Sequence, residues 1–297
     1  MKNIILLLSL IFVVSCASTG TKTNPDSVKY TKGSRAIAKK DVSSWTKCQT
    51  PKEGKDWKNW VDVTNSCVKK GDWAKVRKNA GLMLEHFPVS PWGAYFYSLE
   101  AYELQHYDRA EWMIEKALSM SGEAGIFYFQ KAKILQAKQE EGIARQAYIR
   151  AFELDNSLSE AAAYLAVLSF KDQDYDRVLN YLNAVDEDQK DESLWVVEME
   201  SARATKDFKK ALNASSFLVS KYTKNFKYQL RHAQVLEEIP EKRKEALQAY
   251  KKIHKSLKNG SLRNKFDVNL PDKINSLQNA IAKAEAEAAA SENDKAK

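Results

Sequence analysis

The chain has 297 residues with 47 Lys or Arg against 39 Asp or Glu, a formal net charge of +8. The excess is segmented: residues 17–58 carry ten basic against four acidic side chains, 59–220 carry 19 against 25, and 221–265 carry 13 against four. With only ten glycines there is no Gly-rich phosphate loop, and the four histidines (His86, His106, His232, His254) form no metal-binding or catalytic motif, so composition argues against an enzyme, a metal site or a bound cofactor.

At the N-terminus, Met1-Lys2 and the apolar run Ile4 to Val14 are too short to span a bilayer and fit an export signal over residues 1–15. Val13-Val14-Ser15-Cys16 resembles a bacterial lipobox. The resemblance implies cleavage before Cys16, acylation of its thiol and amino group, and a firm membrane anchor. Ala17, rather than Asp, fits sorting to the outer membrane facing the periplasm. An exported chain seldom meets nucleic acid, so the basic stretches are expected to face anionic headgroups, cell-wall polymer or an acidic partner. Residues 16–44 are rich in Ser, Thr, Lys and Gly without apolar periodicity, and are expected to be a flexible tether.

Structure is expected over 45–265. Cys48 and Cys67 are the two remaining cysteines; in an oxidising compartment an even count favours a disulfide. The alternative is that Cys67 is a small core residue, since it occupies an apolar helix position. From residue 58 the chain reads as repeated helical pairs, because Val76, Ala110, Ala144, Val178, Ala211 and Ala246 fall at intervals close to 34 residues. In the first pair, Trp60, Val63, Thr64 and Cys67 recur at helical spacing, Gly71-Asp72-Trp73 makes the turn, and Val76, Ala80, Met83 and Leu84 face back before Pro88. Later copies keep this pattern through Ala101, Ile114, Ala132, Tyr148, Ala166, Leu182, Val185, Trp195 and Leu218. The sixth requires one inserted residue around Glu238-Ile239-Pro240. Asp172, Asp174 and Asp176 fall in an inter-helix turn and are expected to be solvated there. Ile274, Leu277 and Ile281 predict a capping helix within 266–297, ending in a frayed Ala- and Glu-rich tail.

This pattern resembles the tetratricopeptide repeat (TPR) over residues 58–258. The resemblance implies an all-α, right-handed superhelix of about six hairpins plus a C-terminal capping helix. It also implies that positions two, five, nine and twelve of each unit face a concave groove. Those positions are Lys58, Val61, Asn65 and Val68; Trp92, Tyr95, Leu99 and Tyr102; Ile126, Phe129, Lys133 and Gln136; and Glu160, Ala163, Val167 and Phe170. An open apolar strip calls for something to cover it. Trp92, Tyr95, Leu99, Tyr102, Ile126, Phe129, Val167 and Phe170 are therefore expected to anchor an extended or helical partner segment. Two alternatives stay open: residues 41–57 cover the strip, or neighbouring first helices pack over it. With Val61, Tyr95 and Phe129 at position five, a Lys/Asn carboxylate clamp is not expected.

A lipobox, a tether and six such units are similar to the outer-membrane lipoproteins that serve type IV pilus systems as pilotins. That similarity implies a non-enzymatic adaptor whose groove holds an envelope client, a secretin or another assembly component. Rival readings are an adaptor for cell-wall enzymes or outer-membrane protein assembly, and a structural protein contacting anionic cell-wall polymer through the basic sixth unit.

Overall fold

The computed structural model describes residues 47–52, 54–121, 124–262 and 268–295, the last five without their side chains. The expected signal segment 1–15, Cys16 and the expected tether 16–44 lie outside the described residues. Among the described residues there are thirteen α-helices, two short 3-10 turns and no strand.

The first hairpin shows why the sequence folds as it does. Helix α1 (Trp57–Lys70) begins at Asp56, whose carboxylate accepts the Asn59 amide, and buries Trp60, Val63, Thr64 and Cys67 on one face. Helix α2 (Trp73–His86) begins at Asp72, which accepts the Lys75 amide, and returns Val76, Asn79, Ala80 and Met83 to the same core. Four further hairpins follow: α3 (Trp92–Glu103) with α4 (Tyr107–Met120), α5 (Gly125–Ala137) with α6 (Glu141–Leu154), α7 (Ser159–Lys171) with α8 (Tyr175–Leu182), and α9 (Glu192–Ala204) with α10 (Phe208–Lys221). The sixth pairs α11 (Phe226–Glu238) with α12 (Arg243–Lys258), and α13 (Leu270–Lys295) packs on α12. Each helix packs on its chain neighbours, giving the tetratricopeptide-type solenoid of six hairpins and a cap.

Val76, Ala110, Ala144, Val178, Ala211 and Ala246 are all fully buried, which is why small side chains recur there: two helix axes approach each other closely. Gly125 marks a closer approach still. A Cβ on it would lie 2.8 Å from the Asp155 Cβ and 2.9 Å from the Ala151 carbonyl oxygen. The turn inside each of the first five hairpins uses one left-handed residue, at φ 69° for Gly71 and at 61–65° for Gln105, Gln139, Gln173 and Lys206. In α3 the Gln105 amide bonds the Tyr102 carbonyl at 2.9 Å and the His106 amide bonds Ala101 at 2.8 Å, the paired bonds of a Schellman cap; α1, α5 and α7 end the same way.

Two places depart from the repeat. Val185 was expected within the second helix of unit four, but α8 ends at Leu182. There the Ala184 and Val185 amides bond Tyr181 and Leu182, three residues back, so the chain tightens out of the α-helix while Val185 stays buried. The extra residue expected near Ile239 is taken up by a 3-10 turn at Pro240–Lys242, where proline sits at the first position. Of the turn aspartates in unit four, Asp174 caps α8 by accepting the Arg177 amide and Asp172 pairs with Arg145 at 2.6 Å.

Upstream of α1, a disulfide joins Cys48 to Cys67, with Cα atoms 4.6 Å apart. Asn79 Nδ2 donates to the Gln49 carbonyl at 2.9 Å, so residues 47–52 are held to both helices of the first hairpin. At the other end, Leu270, Ile274 and Leu277 of α13 close the core around Tyr250 and Ile253. No described helix is long and apolar enough to cross a membrane.

Candidate protein-binding groove

First helices of adjacent hairpins also pack on each other, α3 on α5 and α7 on α9, so the first helices form the inner, tighter side of the solenoid. This packing is the second of the two alternatives to an open strip, and it takes one of the eight residues, Tyr95, into the core while the other seven are half-buried. Tyr95 is a core residue, only 7% exposed, with its ring centroid 5.1 Å from Phe127 and 5.5 Å from Trp92. Burial pushes its hydroxyl pKa up, and the nearby Glu160 charge adds to the shift. Trp92 is half-buried, its edge against Phe127 at 5.2 Å. Leu99 and Ile126 are half-buried against the core of the first hairpins, and Val167 against that of unit four.

Tyr102, Phe129 and Phe170 are half-buried too, each leaning on an aromatic ring of its own hairpin: Tyr107 at 5.8 Å, Tyr148 at 5.9 Å and Tyr175 at 6.0 Å. The strip is therefore partly covered by packing between first helices and onto the second helix of each hairpin. The described part of the 41–57 segment, residues 47–52, is held instead at α1 and α2.

What remains accessible is a mixed site. Lys133 on α5 places its ammonium 4.9 Å from the centroid of the Tyr102 ring and 5.7 Å from that of Phe129, within cation–π range of both. Glu160, one hairpin further on, is half-buried; desolvation raises its pKa and the Lys133 charge opposes that shift. Among the described residues neither Lys133 nor Glu160 makes a hydrogen bond or an ion pair within 4 Å. Their groove positions were legible from the repeat, but their lack of bonded partners was not.

The next units differ in kind. Arg203 on α9 pairs with Glu200 at 3.1 Å and with Glu238, and Arg231 pairs with Glu200 at 3.1 Å. The inner side thus changes from aromatic with unbonded charges in units two to four to a closed ion-pair network in units five and six. On the second helices, sequence reasoning missed Trp112 of α4, which is 62% exposed with Lys116 over its ring. Only its failure to fit the α4 core pattern of Ala110, Ile114 and Ala117 could have signalled this.

No family model matches the chain, and no curated protein matches it. Among solved structures, the C-terminal part of a TPR repeat-containing protein from Cytophaga hutchinsonii is 16% identical, with a TM-score of 0.45 over 67% of this chain and 80% of that one. PilF of Pseudomonas aeruginosa is 13% identical, with a TM-score of 0.48 over 59% and 80%. YrrB, described as a TPR protein with an unusual peptide-binding site, is 19% identical, with a TM-score of 0.40 over 56% and 86%. At these identities the likeness is one of fold alone, and it is loose.

Proposed function

We propose that this chain is a non-enzymatic, membrane-anchored scaffold that receives a segment of an envelope protein along the inner side of units two to four. The observation that carries the reading is the site formed by Tyr102, Phe129, Lys133 and Glu160: half-buried aromatic surface beside one cation and one carboxylate, neither bonded to a described group. Such a surface holds an extended segment through apolar side chains while its charges fix the register. The lipobox-like Val13-Val14-Ser15-Cys16 supports export and anchoring, and the Cys48–Cys67 disulfide is in keeping with an oxidising compartment. The client class proposed is a secretin or another pilus-assembly component, by the architectural resemblance to pilotins.

The test is photo-crosslinking in cells from residues placed at Lys133 and Glu160, neither of which belongs to the buried core, with mass spectrometry of the adducts. The reading expects one dominant envelope protein at both positions. Adducts from neither position, together with strong adducts from Trp112, would move the binding surface to the second helices and overturn it.

A further inference from the structure

The sixth hairpin carries charge that the described residues leave unpaired. Lys242 and Lys244 are neutralised, by Glu245 at 2.9 Å and Glu285 at 2.7 Å. Further along α12, Lys251, Lys252, Lys255 and Lys258 are all exposed, and none makes an ion pair among the described residues. The negative end of the helix dipole favours cations in the last turn, which accounts for Lys255 and Lys258. It does not reach Lys251 and Lys252.

Three of these lysines belong to one feature. Lys251, His254, Lys255, Lys258 and Asn259 line an open hollow of about 530 Å³ between α12 and α13, and Ile274 of α13 forms its apolar wall. The surface inside is mainly apolar, and the three lysines are exposed, so each can lay its hydrocarbon stem along that surface and keep its ammonium group in water. A polyanion that is charged throughout would use the ammonium groups and gain nothing from the wall. A glycerophospholipid presents phosphate to the amines and carbon to the wall.

We propose that the Lys251/Lys255/Lys258 face of α12, with the hollow closed by Ile274, docks the anionic phospholipid surface of a membrane. This contact is separate from the groove and from Cys16, and adds a charge-dependent second attachment to any N-terminal anchor. Basic residues near an anionic surface each strengthen partitioning about fivefold, so neutralising three of them weakens it about 100-fold.

The full chain carrying Cys16→Ser is sedimented with vesicles of phosphatidylcholine alone and with vesicles containing roughly one-third phosphatidylglycerol. An apolar N-terminus would insert into both, so the readout is the ratio of the two partition coefficients. The proposal expects preference for the anionic vesicles, its loss in Lys251→Gln/Lys255→Gln/Lys258→Gln, and its retention in a control neutralising the exposed Lys78, Lys171 and Lys209. Circular dichroism checks that helicity is unchanged. Equal binding to both vesicles, or equal loss in both variants, would overturn it. So would Lys251-dependent binding of soluble polyphosphate without vesicle preference, which would assign the face to a polymeric anion.

Discussion

Replacing Gln105, Gln139 and Gln173 with glycine should stabilise the central hairpins. All three hold φ between 61° and 65°, and all three side chains are exposed without a hydrogen bond among the described residues. A non-glycine residue in this region costs about 1–2 kcal/mol. Glycine loses about 0.5–1 kcal/mol of that gain through its extra freedom in the unfolded chain. The expected net is about 0.5–1 kcal/mol per site and about 2 kcal/mol for the triple variant, since the sites lie a repeat apart and share no partner. A solenoid opens unit by unit, so the assay is native-state hydrogen exchange of the amides in α3 to α8 rather than a single melting temperature. Gly71→Gln is the converse control and should cost a similar amount in α1 and α2. Unchanged or weaker protection in the triple variant would refute the strained-turn reasoning.

Reducing the Cys48–Cys67 bridge, which closes a loop of 19 residues' separation, should cost about 3 kcal/mol, seen as faster exchange in α1 with α9 to α12 unaffected. Gly125→Ala forces a methyl against Asp155 and the Ala151 carbonyl and should destabilise by about 1–3 kcal/mol, while Gly142→Ala, which meets nothing within 4 Å, should be neutral or gain a few tenths; denaturant midpoints separate the two. His232 touches Ser215 at 3.0 Å, and burial lowers its pKa below the ordinary 6.5. The unfolded chain therefore binds the proton first, so stability present above pH 6.5 is lost as the pH falls from there through the lowered folded value. Exchange at the α10–α11 junction measured across that window should show the loss, and His232→Gln should flatten it.

The repeat made most of this fold legible. Alanine and valine at a fixed interval place the close helix contacts, and Trp60, Cys67, Tyr148 and Tyr250 fall on the faces that the 3.6-residue period assigns. The left-handed turn was legible only at Gly71; at Gln105, Gln139 and Gln173 the same backbone is imposed by the two flanking helices on a residue that does not announce it. Tyr95 was misplaced because a groove register says which side of a helix a residue occupies, not how closely the next first helix approaches that side. Charge pairs made outside a single helix were equally hidden. Glu100, 2% exposed, is held by Arg109 and faced by Arg77, and Lys190 is paired with Glu198 at 2.9 Å. The first depends on how α4 folds back on α3, the second on how two hairpins pack and the third on the path of the loop before α9, none of which a helical period encodes.

The measurement that tests the central proposal most directly is the affinity of the captured client for three purified full-length chains: unaltered, Tyr102→Ala/Lys133→Glu, and Trp112→Ala. Inner-side binding predicts at least tenfold weaker affinity for the double variant, from losing an aromatic contact and reversing one charge, and no change for Trp112→Ala. The opposite pattern, with helicity intact in both variants, would contradict it.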